Sequence, residues 1–146
     1  MYCEKQDLIN ALREKAVTDF ATDVTGDPQA TIDARIDAVI VKSCDLIDGY
    51  LRGRYPLPIT NVPGVVKSLA VDIALYYLAS RKGIREGTPE VTLRVKFEDA
   101  VRYLRDIQAG KADIGIPNAE GESVPAGEAR VSAPDKTFNS TFWNGF

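Results

Sequence analysis

The sequence predicts an all-α protein: a compact bundle of about four helices over residues 1–110, then an extended, irregular arm over residues 111–146. Three observations predict it. Apolar residues recur at three- and four-residue intervals through the first 110 positions, the spacing of one helix face, and strand-like alternation is not sustained there. Strong stop and start residues punctuate the pattern at Gly26-Asp27-Pro28, Pro56, Pro58, Gly83, Thr88-Pro89 and Gly110. After Gly110 the period is lost, and Gly115, Pro117, Gly121, Pro125, Gly127, Pro134 and Gly145 interrupt the rest of the chain.

The first helical stretch carries Leu8, Ile9 and Leu12, followed by Val17 and Phe20. It ends at Thr25-Gly26-Asp27-Pro28, where Asp27 is placed to cap the next helix and Pro28 suits its first turn, because a missing N–H costs nothing there. The second helix, about residues 28–54, gathers Ile32, Ile36, Val39, Ile40, Leu46, Ile47, Tyr50 and Leu51 on one face. Pro56 and Pro58 forbid its continuation.

A third helix starts near 61–63 and presents Val65, Val66, Leu69, Ala70, Ile73, Tyr76 and Tyr77, with Gly83 as its stop. Thr88-Pro89-Glu90 restarts the chain with a capping residue, a first-turn proline and an early acid. The fourth helix buries Leu93, Phe97, Ala100, Val101, Leu104 and Ile107 and ends at Gly110. The arm over 111–146 has too few apolar side chains to offset about 1–2 kcal/mol of backbone entropy per ordered residue. It is expected to be mobile in the free monomer and to order only against a partner.

Composition removes several classes of function. The chain contains no histidine, which excludes His-based triads, His metal sites and imidazole acid–base chemistry. Lys plus Arg number 18 against 21 Asp plus Glu, well mixed, so no general nucleic-acid footprint stands out. Cys3 and Cys44 lie far apart in no metal-like spacing and read as free thiols of a reduced compartment. Met1–Asn10 lacks an apolar leader, and no run approaches the roughly 20 apolar residues of a membrane span. An intracellular, soluble chain is expected.

Few constellations could carry chemistry. Asp33, Asp37 and Asp48 share one stripe of the second helix; they are either a divalent-cation or acid–base site or a solvated helix edge, and no phosphate-cradling loop or nucleophile accompanies them. No enzyme site and no cofactor are therefore expected. Arg54 projects to the apolar side of its helix, where it either pairs with a carboxylate, Asp72 across the turn being the candidate, or frays into solvent. Arg52, Arg54, Lys67, Arg81, Lys82 and Arg85 form either solvated surface or a basic rim able to meet DNA phosphates in a channel. Lys67 and Ser68 are the main polar residues near the start of the third helix, were it to read DNA. At the end of the arm, Phe138, Phe142, Trp143 and Phe146 read as interface anchors to another subunit, or else as a cover for their own bundle.

The run Ile47-Asp48-Gly49-Tyr50-Leu51, Arg54-Tyr55 and Leu57-Pro58, together with Tyr2, Asp7-Leu8, Pro63, Asp72-Ile73-Ala74 and Tyr77-Leu78, resembles the Mu-like prophage family typified by gene product 36. Phe97, Ala100, Leu104, Ile107, Gly110 and the aromatic terminus are similar to it as well. The chain departs from the family pattern at Phe20-Ala21-Thr22-Asp23, where the family has a tighter turn. The resemblance implies a head–tail connector, an adaptor or head-completion protein of the virion, present in host cytoplasm during assembly. It implies a dodecameric ring beneath the portal that extends the DNA channel, touches packaged DNA non-specifically and docks a tail-completion or tail terminator protein. It carries over no catalytic residue. A small helical DNA-binding or regulatory phage protein is the alternative.

Overall fold

In the computed structural model, residues 1–88 and 90–117 are described. Among them the chain forms five α-helices: α1 (Lys5–Leu12), α2 (Glu14–Ala21), α3 (Gln29–Leu51), α4 (Gly64–Ser80) and α5 (Glu90–Gln108). No strand occurs among the described residues. The fold is all-α, as the periodicity predicts.

The extra helix arises at Arg13. Its φ of 85° breaks the first stretch into two short helices, while its N–H still closes α1 on the Ile9 carbonyl at 2.9 Å. The bend lets Leu8 on α1 and both Val17 and Ala21 on α2 reach the core. A left-handed residue other than glycine costs stability; here burial on both sides of the bend holds it.

α4 lies at the centre, in contact with all four other helices. Its residues Val66, Leu69, Ala70, Val71, Ile73, Ala74, Leu75, Leu78 and Ala79 are buried on almost every side, the mark of an interior helix. Cross-links give the directions. Lys67, near the start of α4, pairs with Asp7 on α1, and Arg81, just past its end, bonds the Ala21 carbonyl that closes α2. The α1–α2 pair therefore runs alongside α4 in the same sense. α3 and α5 run against it, joined to it by the loops at 52–63 and 81–89.

Helix ends differ from the sequence expectation in two places. Asp27 does not cap α3. Its carboxylate accepts from the N–H groups of Asp23 (2.8 Å) and Val24 (3.3 Å) and pairs with Arg35 at 2.6 Å, so it ties the 22–28 loop to α3. Pro28 takes the cap position itself. α3 stops at Leu51, which leaves Arg52–Tyr55 in the turn. α5 begins at Glu90, the early acid expected there, while the Thr88 hydroxyl before it donates back to the Arg85 carbonyl at 2.7 Å and lies 3.3 Å from the Glu90 carboxylate. Pro89 lies outside the described residues. Gly83 and Gly110 adopt φ of 81° and 78° at the ends of α4 and α5, a conformation that glycine alone enters without cost.

The bundle also continues past the expected boundary at residue 110. Ile114 is buried in the core, and Ala112 and Ile116 pack against it. Residues 111–117 belong to the folded block; whether 118–146 form the expected arm lies outside the described residues.

Candidate partner-contact site

The run at 47–58 fastens both described ends of the chain to the bundle. At one end of the chain, Tyr2 is buried against α3. Its N–H lies 3.2 Å from the Cys44 sulfur, and its hydroxyl donates to Asp48. Burial and then the Asp48 contact push the Tyr2 phenol well above its ordinary range. At the other end, the Arg54 guanidinium donates to the carbonyls of Ile107 (2.5 Å) and Ala112 (3.1 Å), and the Tyr55 hydroxyl donates to the Asp113 carboxylate at 2.9 Å. Burial, reinforced by Asp113, raises the Tyr55 phenol too. The Tyr103 hydroxyl reaches the Asp113 carbonyl at 3.3 Å.

Arg54 therefore does not pair with Asp72, as its helical projection suggests. Because α3 ends at Leu51, Arg54 sits at the end of the bundle, beside the C-terminus of α5, where carbonyls of the last turn and the negative end of the helix dipole satisfy a cation. Asp72 lies two turns into α4 and faces Lys96 of α5 at 3.6 Å.

The basic residues do not converge on one rim. Lys67 stands at the start of α4 and pairs with Asp7 at 2.9 Å. Arg81 stands at the opposite end, about 20 Å away at 1.5 Å rise per residue, with its Nη2 donating to both carboxylate oxygens of Asp23 at 2.9 and 3.0 Å. Lys82 donates to the Asp19 carbonyl beside it, and Arg85 lies exposed in the same α4–α5 loop. Arg52 is exposed at the end of α3. Nor does α4, the third predicted helix, offer a reading face: it is the most enclosed element, and Lys67 is already engaged.

The aspartate stripe is divided in the same way. Asp33 accepts from Lys5 (2.6 Å) and Gln29 (2.9 Å), Asp48 accepts from Tyr2, and Asp37 is exposed. Among the described residues no three His, Cys, Asp or Glu side chains come together as a metal-binding group, and no helix is long and apolar enough to cross a membrane. Cys3 and Cys44 are buried free thiols. Burial pushes the Cys3 thiol up to about 12. The aromatic anchors Phe138, Phe142, Trp143 and Phe146 lie outside the described residues.

One surface feature escaped sequence reasoning. Two open hollows flank the Asp72–Lys96 pair on the outer side of α4. One, about 510 Å³, has a mixed polar and apolar lining and lies toward α1, with Asn10, Lys67, Ser68 and Val71 in its wall. The other, about 410 Å³, is mostly apolar and lies between α4 and α5, lined by Val65, Leu69, Ala100 and Tyr103 with Asp99 at its edge. Val65 was legible as core-facing; that it borders a groove depends on how α5 crosses α4.

The sequence matches the family described as Bacteriophage Mu, Gp36, over residues 2–133. The chain belongs to the phage Mu Gp36 family. It is 32% identical over 99 residues to gene product J of Escherichia phage Mu, covering 68% of this chain and 65% of that one, so less than two thirds of gene product J is spanned. It is also 26% identical over 116 residues to the Mu-like prophage FluMu protein gp36 of Haemophilus influenzae, covering 80% of this chain and 77% of that one. The Gp36 match includes Tyr2, the whole 47–58 run and Asp113, the groups that fasten the two ends of the block. It stops short of Phe138.

Proposed function

We propose that this Gp36-family protein is a structural, non-catalytic component of a phage particle. In this reading it is the head–tail connector that forms a ring beneath the portal, extends the DNA channel and docks a tail-completion or tail terminator protein. The observation that carries the proposal is the fastening at Arg54 and Tyr55. The two side chains hold residues 107–113 on the end of the bundle, so the following segment leaves a rigid block from a defined point. A helical block followed in sequence by Phe138, Phe142, Trp143 and Phe146 suits a closed ring. Such rings need a head-to-tail contact on every subunit, and aromatic anchors supply it at low entropic cost. Mixed surface charge suits passing, non-specific contact with DNA. Engagement of Lys67, Arg81 and Lys82 within the subunit argues against duplex recognition as the main task.

The test is to delete residues 135–146. The deleted protein is expected to keep its helical circular dichroism and melting temperature and to lose attachment to portal-bearing heads, as seen by co-sedimentation and electron microscopy. Normal attachment of the truncated protein would remove the anchor role. Full-length protein found elsewhere than at the portal vertex would remove the connector role itself.

A further inference from the structure

Four basic side chains meet at the end of the bundle where α3 and α5 finish. Arg52 and Arg54 stand in the turn after α3, Arg105 in the last turn of α5 and Lys111 just past it. The bonds from Arg54 to the Ile107 and Ala112 carbonyls join the two stretches, and the Lys111 N–H folds back on the Asp106 carbonyl at 2.8 Å. A cation beside a helix C-terminus can serve the helix dipole alone, and Arg54 does so. Arg52, Arg105 and Lys111 are exposed instead. Elsewhere Lys67, Arg81, Lys96 and Arg102 each face a carboxylate; among the described residues these three face none. The carboxylates of this end, Asp48, Asp106 and Asp113, are half-buried. Asp48 accepts from Tyr2, and Asp113 from the Tyr55 hydroxyl and the Gly115 N–H. On a chain of net charge -3, the charges exposed at 52–54 and 105–111 are all positive. The opposite end mixes signs, with Asp19 and Glu86 exposed among Lys82 and Arg85.

We propose that this end is the surface by which the subunit meets duplex DNA, with Arg52, Arg105 and Lys111 on backbone phosphates. The inference rests on the connector reading and deepens it by naming the face turned to the channel. Side-chain chemistry selects a phosphate backbone over an acidic protein. A protein interface is centred on apolar and aromatic groups, and here Leu51, Tyr55, Ile107 and Ile114 are all buried. The exposed residues at 52–54 and 105–111 include no large apolar side chain. Phosphate contacts need only presented cations, which release counterions from the duplex and carry no sequence information. Two of the three are arginines, whose planar fork matches a phosphate. Of the basic residues whose spacing suggested a rim, only Arg52 and Arg54 stand here. Arg105 and Lys111 join them because Arg54 draws the end of α5 to the turn after α3.

The test titrates a short duplex of arbitrary sequence into the full chain at about 20 mM salt, where phosphate contacts are strong, and follows it by NMR. Shift changes are expected on residues 52–55 and 105–113, with the same affinity for a second duplex of unrelated sequence. Arg105→Gln and Lys111→Gln are each expected to weaken binding at least about tenfold and to make the dependence of log K on log salt shallower by about 0.9. Both side chains are exposed, so the melting temperature should hold; a variant that melts early is replaced by Arg52→Gln, read in the same way. Shifts confined to 81–86 or to another face, unchanged salt slopes, or no binding overturn the proposal. Preference of this end for poly-glutamate over the duplex overturns it in favour of an acidic protein partner. Protein that binds DNA through this end but is absent from the portal vertex would sink the connector reading alone. A subunit at the vertex whose contacts with DNA lie elsewhere would sink this inference alone.

Discussion

The Arg54 guanidinium closes the C-terminus of α5 by donating to the Ile107 carbonyl at 2.5 Å across 53 residues of sequence. The same group holds the Ala112 carbonyl at 3.1 Å and stacks beside the Tyr55 ring, 5.7 Å from its centroid. One cation thus ties the last turn of a helix to the segment that leaves it.

Replacing Arg54 with Ala is expected to lower unfolding free energy by about 1.5–3 kcal/mol, the range for hydrogen bonds to a charged group. Urea titration measures it. Amide exchange at 112–114 should quicken at the same time, because the exit segment loses its clasp. Arg54→Lys should recover only part, since an ammonium lacks the planar fork. Unchanged stability and exchange in Arg54→Ala would show that the clasp is unimportant.

Gly110 sits at φ 78° directly beneath that guanidinium, and a Cβ there would meet the Arg54 Cζ at 3.8 Å, an ordinary contact. The expected cost of Gly110→Ala is therefore the backbone strain alone, about 1–2 kcal/mol. A chemical denaturation curve with the midpoint lowered and the slope retained is the predicted result.

Asp27 gives a pH signature. The Arg35 guanidinium, helped by the Asp23 N–H, holds its carboxyl down at about 2. Because the folded value lies below the unfolded one, near 3.9, the contribution is present above that value and disappears as pH falls through about 2. Asp27→Asn should melt below the parent at pH 6, with the gap closing between about pH 4 and pH 2. A gap independent of pH would mean that the charge on Asp27 is not its source.

Cys3 predicts the opposite slope at high pH. Its thiol, pushed up to about 12 by burial, favours the fold fully below the unfolded value of about 8.5 and loses that contribution as pH rises toward about 12. Native protein at pH 8 should react with a disulfide reagent at least about 100-fold more slowly than urea-unfolded protein. Rapid native labelling at Cys3 would contradict its burial.

Periodicity and stop residues were enough to place the long helices and their buried faces. Ile32, Ile36 and Ile47 on α3, Leu69 and Ile73 on α4, and Leu93, Leu104 and Ile107 on α5 are all buried as their spacing predicts. Gly83 and Gly110 end their helices in the expected conformation. The break at Arg13 was not legible, since no glycine or proline marks it and only packing of both short helices on α4 requires the bend.

The amino-acid order alone determined the helical class, the faces that meet in the core and the likeness to the Gp36 family, because helix periodicity and stop signals act within a few residues. Tertiary structure decided what the charged and aromatic residues do. Arg54 reaches α5 instead of Asp72, Asp27 serves a loop and Arg35 instead of a helix start, and Lys67, Arg81 and Lys82 part to opposite ends of α4. A side chain near a helix end chooses its partner by the angle and offset at which neighbouring helices cross. Those are set only when the whole core packs, among residues dozens of positions apart.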